Sequence, residues 1–598
     1  GLSAVGFPAL GDATYVPLLG AEDRYGRTRG WAAGMLLHHA GPFAGSQWLL
    51  FGVKEEAFYA EPSVIEMTAR VLEAFRDGKW LARSQSESDA EAQKTIAAIA
   101  PAPVPLRIEG AHFVGPDGSR FFALGANFYN SFHTYYGGGK LWKVAELERD
   151  FQRMRRAGIN AIRLHDAQRF LVEGRTETFL GLCRQYGIYI LPTAAAAHSG
   201  KSLEQLASEA RRKAALLKDE PMMLGYDLDN EPYWWELARL TLQGQKLSER
   251  YPVPKDAWKE YQRSLALAPA DWTTTFPGLE RQLPEPQKET WRQAFKSVSG
   301  IFGDWTDALT CGIRAEDKQH PISVGYNTVY GCLPVNQRLD FIAHHVYEPP
   351  TDLEHVRINF TTMDRLRKIW PGKPILLGEF GYSNGDLVNG ACLDGYASSV
   401  GEMAHYLHAL AVGFDGVLKW ELCDPDPAYQ WRSLTWQRDK PKAEQLQQRR
   451  FGMFYFDGTP EGKAKPIAHA TRFLRDYLDS HALQGTLTLR PADYPTGTAY
   501  TFAADHALFI GGRCYASEGL RFESADPANV MLRWDAHALH VMSTADARIT
   551  LRPSFFVTSL TTDAQVSGLH GETVKSQEEG WMTVTALEGE ALTFSVSY

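Results

Sequence analysis

The chain has 598 residues, a net charge of -9, and 44% hydrophobic, 22% charged and 12% aromatic side chains. That length predicts a large unit with one or two smaller ones. The absence of a basic block argues against a nucleic-acid partner, and no run of about 18 apolar residues is present to span a membrane.

A neutral or weakly charged ligand fits this charge balance better, and the many flat rings suit stacking on sugar faces as well as filling cores. Six cysteines (Cys183, Cys311, Cys332, Cys392, Cys423 and Cys514) lack metal-like or redox-like spacing and are expected to be buried thiols. The chain opens at Gly1 without a charged and apolar leader, which fits a soluble protein that is cytoplasmic or exported with its leader removed.

In chain order, residues 1–83 predict a small accessory α/β domain. Strand-like runs at 16–20, 30–39 and 47–53 precede a helix at 62–80, where Ile65, Ala69, Leu72 and Phe75 share a stripe. No nucleophile elbow or Cys/His pair occurs here, so a structural role is expected. Residues 84–105 turn to Ser, Glu, Ala and Pro and predict a linker.

From residue 106 strands and helices alternate, the pattern of a parallel sheet. Strands are expected at 121–126, followed by Asn127, and at 160–164, which carries Arg163 and precedes His165. A third is expected at 188–191 and a fourth at 223–228, which runs into Asn230, Glu231 and Pro232. An insertion at about 233–290 holds Trp234, Trp235, Trp258 and Trp272, too long for a plain connection and read as a wall of a functional rim. A helix at 291–316 restores the repeat. Strands follow at 321–325 and at 341–343, the latter ending in His344, His345 and Tyr347. The seventh ends at Glu379, and the eighth, Gly416–Lys419, ends in Trp420. Helices are placed at 399–412 and 466–478.

Eight such strands predict a (β/α)8 TIM barrel over 106–484. A doubly wound sheet lacks its glycine-rich fingerprint after the first strand. Residues 485–598, with short runs at 486–489, 507–510, 530–534 and 549–551, predict a C-terminal β-sandwich.

Two glutamates at the tips of different strands suit glycosidic bond cleavage, which needs a proton donor to the leaving oxygen and a carboxylate facing the anomeric carbon. The succession of strand-end residues resembles glycoside hydrolase clan A over about 106–480, most like family 5 and its mannanase and mannosidase relatives. The resemblance implies Glu231 as acid/base and Glu379 as nucleophile. It implies substrate-binding roles for Asn127, Arg163, Asn230, His345, Tyr347 and Trp420, and His165 and Trp234 are expected beside them. His344 reads as a core histidine. The usual histidine of the third strand is not matched, because His198 lies several residues beyond it.

The expectation is a retaining β-glycosidase that needs no cofactor and no metal. Its partner is a β-linked carbohydrate, with β-mannoside or β-glucoside ahead of β-galactoside, and a homo-oligomer is compatible. The alternative is a non-catalytic carbohydrate-binding or polysaccharide-biosynthesis accessory protein built on a barrel scaffold.

Overall fold

The computed structural model describes residues 13–22, 28–38, 43, 46–52, 56–77, 105–128, 144–165, 167–172, 174–196, 200–242, 285–347, 356–382, 395–424, 451–454, 464–480, 490–491, 497–501, 507–534, 538–552, 565–568, 576–578, 581–589 and 591–595. The expected strand at 486–489, most of the linker, and His198, Trp258, Trp272 and Cys392 lie outside them.

Eight parallel strands form the central sheet. In chain order they are Ala123–Asn127, Ala161–Leu164, Tyr189–Pro192, Tyr226–Asn230, Ile322–Tyr326, Ile342–Val346, Ile375–Phe380 and Gly416–Lys419. Their spatial order is 3-2-1-8-7-6-5-4, so each strand lies beside its neighbours in sequence and the eighth closes on the first. Parallel bridges Ile190↔Met223 and Thr193↔Asp227 join the third strand to the fourth and complete the circle. This is the TIM barrel the strand pattern predicted.

The barrel interior follows from the two-residue period of a strand. Ala123, Ala161, Leu191, Leu224, Phe341, Ala343, Leu376 and Leu418 fill its lower part together with Phe113. Phe113 comes from the hairpin Arg107–Glu109 and His112–Val114, and its ring meets Phe341 edge-on at 5.3 Å. Asp415 ties down the same end, bonding His112 Nδ1 at 2.8 Å and Arg120 Nε at 3.1 Å. With this end plugged by apolar rings, polar side chains gather at the other. Two residues beyond Ala161 is Arg163, and two beyond Ala343 is His345.

Helices Thr176–Tyr186 and Leu203–Leu217 each bury one face, whereas Gly395–Ala411 is buried almost all round. The C-terminal unit explains this. Its long strand Leu520–Trp534 pairs first with Ala547–Leu551 and later with Ala538–Ser543, so one strand serves both parts of a ten-stranded antiparallel sheet. The enclosed core includes Phe522, Leu532, Val541, Ile549, Val584 and Phe594. Asn529 Nδ2 donates to Ser399 Oγ at 2.8 Å, and Phe509 packs edge-on against Phe473 and Tyr477. This is the predicted β-sandwich, docked on the barrel's outer helices.

At the N-terminus, Ala13–Glu22, Thr28–His38 and Gln47–Phe51 form an antiparallel sheet, followed by helices Glu56–Ala60 and Pro62–Asp77.

Two expectations need correction. The helix expected at 291–316 is Glu285–Arg314 and begins inside the residues expected to form the insertion. Cys183 and Cys423 are buried thiols, but Cys311 and Cys514 are exposed and Cys332 is half-buried. Cys311 sits two residues from both Leu309 and Ile313, which puts it on the opposite side of that helix from their buried stripe. Cys514 lies where its strand has run past the core.

Candidate active site

The open end of the barrel brings Glu231, Glu379 and His345 together, with one donor atom of each lying within 4.8 Å of the other two. Glu379 is near the tip of the seventh strand, and Glu231 follows the fourth directly. The Glu231 backbone has φ 48, a left-handed conformation that a residue with a Cβ seldom adopts. Its N–H donates to Gly325 O at 2.8 Å, so strand pairing holds it in this shape.

Arg163 is the hub beneath the carboxylates and has no exposure of its own. Its Nε donates to Asp227 Oδ2 at 2.7 Å, its Nη2 to Asn230 Oδ1 at 2.9 Å, and its Nη1 to Asn127 Oδ1 at 3.0 Å. Nη1 also contacts Glu379 Oε1 directly. Asn127 in turn donates to the carbonyls of Gly378, at 3.0 Å, and Leu418, at 3.2 Å. Asn127 and Arg163, expected among the substrate-binding residues, are fully buried and joined to each other and to the strand ends.

Gly325 makes room for this hub. A Cβ there would sit 2.7 Å from Arg163 Nη2, 2.8 Å from His345 Nε2 and 3.0 Å from Asp227 Oδ2. Asp227 Oδ1 accepts the Gly325 N–H at 2.7 Å, which binds the fourth and fifth strands at the same spot.

Tyr347 donates its hydroxyl to Glu379 Oε2 at 2.9 Å, and its ring meets Phe451 edge-on. His345 Nδ1 lies 2.8 Å from Glu231 Oε1 and 3.7 Å from Glu379 Oε2. Asn327 Nδ2 donates to Glu231 Oε2 at 2.9 Å. Trp420 is half-buried, with the His165 ring edge-on to it at 5.9 Å. Trp234 starts the helix that follows Glu231, and its side chain lies outside what the structure describes. His344 is a core histidine, as expected, and burial pulls its pKa down to about 3.

Burial raises the pKa of Glu379, against the lowering effects of His345, Arg163 and the Tyr347 hydroxyl. Burial also raises Glu231, opposed by Arg163 and Asn327. Two interacting acids this close titrate as a pair. Their partners set the location of a single proton: a guanidinium touches Glu379, whereas Glu231 faces an amide and an imidazole. Burial pulls His345 down to about 4, which leaves that imidazole neutral near pH 7. The proton of the pair therefore belongs on Glu231.

The donor atoms of Glu231, His345 and Glu379 are close enough to hold a cation. Arg163 already supplies positive charge to Glu379 there, and His345 Nδ1 is engaged by Glu231.

No family model and no curated protein sequence matches the chain. Solved structures do. An exo-β-1,4-mannosidase from Opitutaceae bacterium strain TAV5 is 16% identical with a TM-score of 0.41, covering 62% of this chain and 62% of that one. A β-D-glucuronidase from Dictyoglomus thermophilum is 16% identical with a TM-score of 0.40, covering 62% of this chain and 53% of that one. A family 39 glycoside hydrolase from Bacteroides cellulosilyticus WH2 is 12% identical with a TM-score of 0.42, covering 79% and 80%. The chain spans less than two thirds of the length of the first two. Likeness this distant carries no argument about chemistry, which rests on the side chains.

Two groups bonded into this cluster, Asp227 and Asn327, are not singled out by the sequence. Asp227 lies inside the fourth strand, where strand alternation alone does not mark a polar hub. Asn327 follows the fifth strand, where the rule that picked Glu231 would also have found it.

Proposed function

We propose that the chain is a retaining β-glycosidase working by double displacement. The observation that carries this reading is the approach of a Glu231 oxygen and a Glu379 oxygen to within 4.8 Å, with Glu379 clamped by Arg163 and Tyr347. Such closeness is in keeping with retaining enzymes, whose carboxyl groups are about 5–5.5 Å apart, rather than with inverting ones, at roughly 6.5–9.5 Å.

In the first step Glu379 attacks the anomeric carbon while Glu231 transfers its proton to the departing oxygen. A glycosyl ester forms on Glu379, and the aglycone leaves with the proton. The ester is neutral, so no charge on Glu379 opposes the ionisation of Glu231, and the newly ionised Glu231 can act as a base. It then takes a proton from water, whose oxygen attacks the anomeric carbon and releases Glu379. Arg163 and the Tyr347 hydroxyl stabilise the nucleophile's charge at the start and end of the cycle. His345 and Asn327 hold the two oxygens of Glu231 in place, and Trp420 offers a face to the sugar.

The substrate is a β-linked glycoside, with β-mannoside or β-glucoside ahead of β-galactoside, in keeping with a family 5-like, mannosidase-related member of clan A. Glu379→Gln and Glu231→Gln should each reduce kcat by at least about a thousandfold. With an activated aryl glycoside, azide should restore turnover to Glu231→Ala and give a glycosyl azide of retained configuration. The same product from a position 379 variant would reverse the two roles.

A further inference from the structure

A third carboxyl group stands on the same rim. The N–H of Trp420 is held by Phe380 O at 2.8 Å, and the N–H of Leu422 by Asn127 O at 3.1 Å. Residues 420–424 therefore form a shelf joined to the ends of the seventh and first strands. Residues 451–454 lace it in place, with Met453 N–H on Glu421 O at 3.0 Å and Asp424 N–H on Phe454 O at 2.9 Å.

Two buried ion pairs fix the shelf, Lys419 Nζ with Glu402 at 2.6 Å and Lys465 Nζ with Asp424 at 2.7 Å. Lys419 commits its remaining donors to the carbonyls of Phe451, at 2.6 Å, and Trp420, at 3.1 Å. Glu421, amid these charges, is only 7% exposed, and among the described residues no group hydrogen-bonds its carboxyl. A carboxyl on the rim that no neighbouring group engages is open to the hydroxyls of a ligand. The charged groups around it are Asp424, Lys419, Lys465 and Glu379. Burial first, and then Asp424, push its pKa well above the usual carboxylate range. A protonated carboxyl has one donor and spare acceptors, a match for adjacent sugar hydroxyls.

We propose that Glu421 is a specificity-determining residue that hydrogen-bonds neighbouring hydroxyls of a neutral sugar seated over Glu379 and disfavours a uronic acid in that position. This rests on the glycosidase reading and narrows its substrate class. Among the described residues the surrounding cations Lys419 and Lys465 are already paired with carboxylates, so a uronate would meet the field of Glu379 and Asp424 without a partner from that set.

The test compares wild type, Glu421→Gln and Glu421→Ala on aryl β-mannoside, β-glucoside and β-glucuronide. Saturation-transfer NMR of the free monosaccharides and their uronic acids runs alongside. Wild type should favour the neutral sugars. Glu421→Ala should lose at least about tenfold in kcat/KM, mainly through KM, while Glu421→Gln, which keeps a donor and an acceptor, stays within a few fold of wild type. If Glu421→Ala does not fold, Glu421→Met, similar in volume and without hydrogen-bonding capacity, carries the same prediction. A neutral-sugar kcat/KM within twofold of wild type in the Ala or Met variant overturns the proposal, as does preference for the uronide. If no aryl glycoside turns over, the glycosidase reading fails, and the NMR still decides. Neutral-sugar binding lost in Glu421→Ala and kept in Glu421→Gln upholds the contact; binding unchanged in both removes it.

Discussion

Glu231 and Glu379 have the same side chain and differ in their contacts. The guanidinium of Arg163 and the hydroxyl of Tyr347 meet Glu379, whereas Glu231 is held by the Asn327 amide and the neutral His345. Burial raises both groups, so the pair keeps its proton to higher pH than an ordinary glutamic acid. Activity should rise with pH as Glu379 ionises and fall as Glu231 loses its proton. A kcat/KM profile on an aryl glycoside with a good leaving group should be bell-shaped in wild type and lose its basic limb in Glu231→Ala. A basic limb that persists in that variant would place the acid elsewhere. Both glutamates were legible from position alone, since each ends an apolar run at a strand tip. Asp227 was not, because alternation inside one strand does not say which face carries a polar hub. Its meaning comes from Arg163, which no local pattern pairs with it.

At the level of the strands, inward positions pass from apolar floor residues to polar ones within two steps in the second and sixth strands, and the hub fits because the fifth strand carries Gly325 at its side. Gly325→Ala would put a methyl group 2.7 Å from Arg163 Nη2 and 3.0 Å from Asp227 Oδ2. The expected outcome is a loss of about tenfold to a hundredfold in kcat, because displacement of the guanidinium by an ångström misplaces the nucleophile's counter-charge. Destabilisation of about 1–3 kcal/mol should accompany it, read from the thermal midpoint. A variant with wild-type kcat would show that Arg163 tolerates movement. The barrel strands were readable because each couples a short apolar run to a following helix. The helix at Glu285–Arg314 starts earlier than expected because its first turns are polar, with Glu285, Gln287, Lys288 and Glu289, and have little of the apolar period that marks a helix in sequence.

On the scale of the molecule, barrel and sandwich share a surface through Gly395–Ala411, the helix buried nearly all round. A helix was expected at 399–412, but neither its burial nor its partner, since contacts between distant segments leave no mark on local composition. Removing residues 485–598 should expose that face and give a barrel that aggregates or melts at a lower temperature. Removing residues 1–83 should leave kcat/KM on an aryl glycoside within a few fold of the full chain, and a large loss would bring that segment into the site. All of this chemistry presumes that the sugar is first passed to Glu379 and then to water. Proton NMR of the hydrolysis of an aryl β-glycoside, recorded before mutarotation, tests it most directly. The account predicts the β-anomer as the first product, and first appearance of the α-anomer would contradict it.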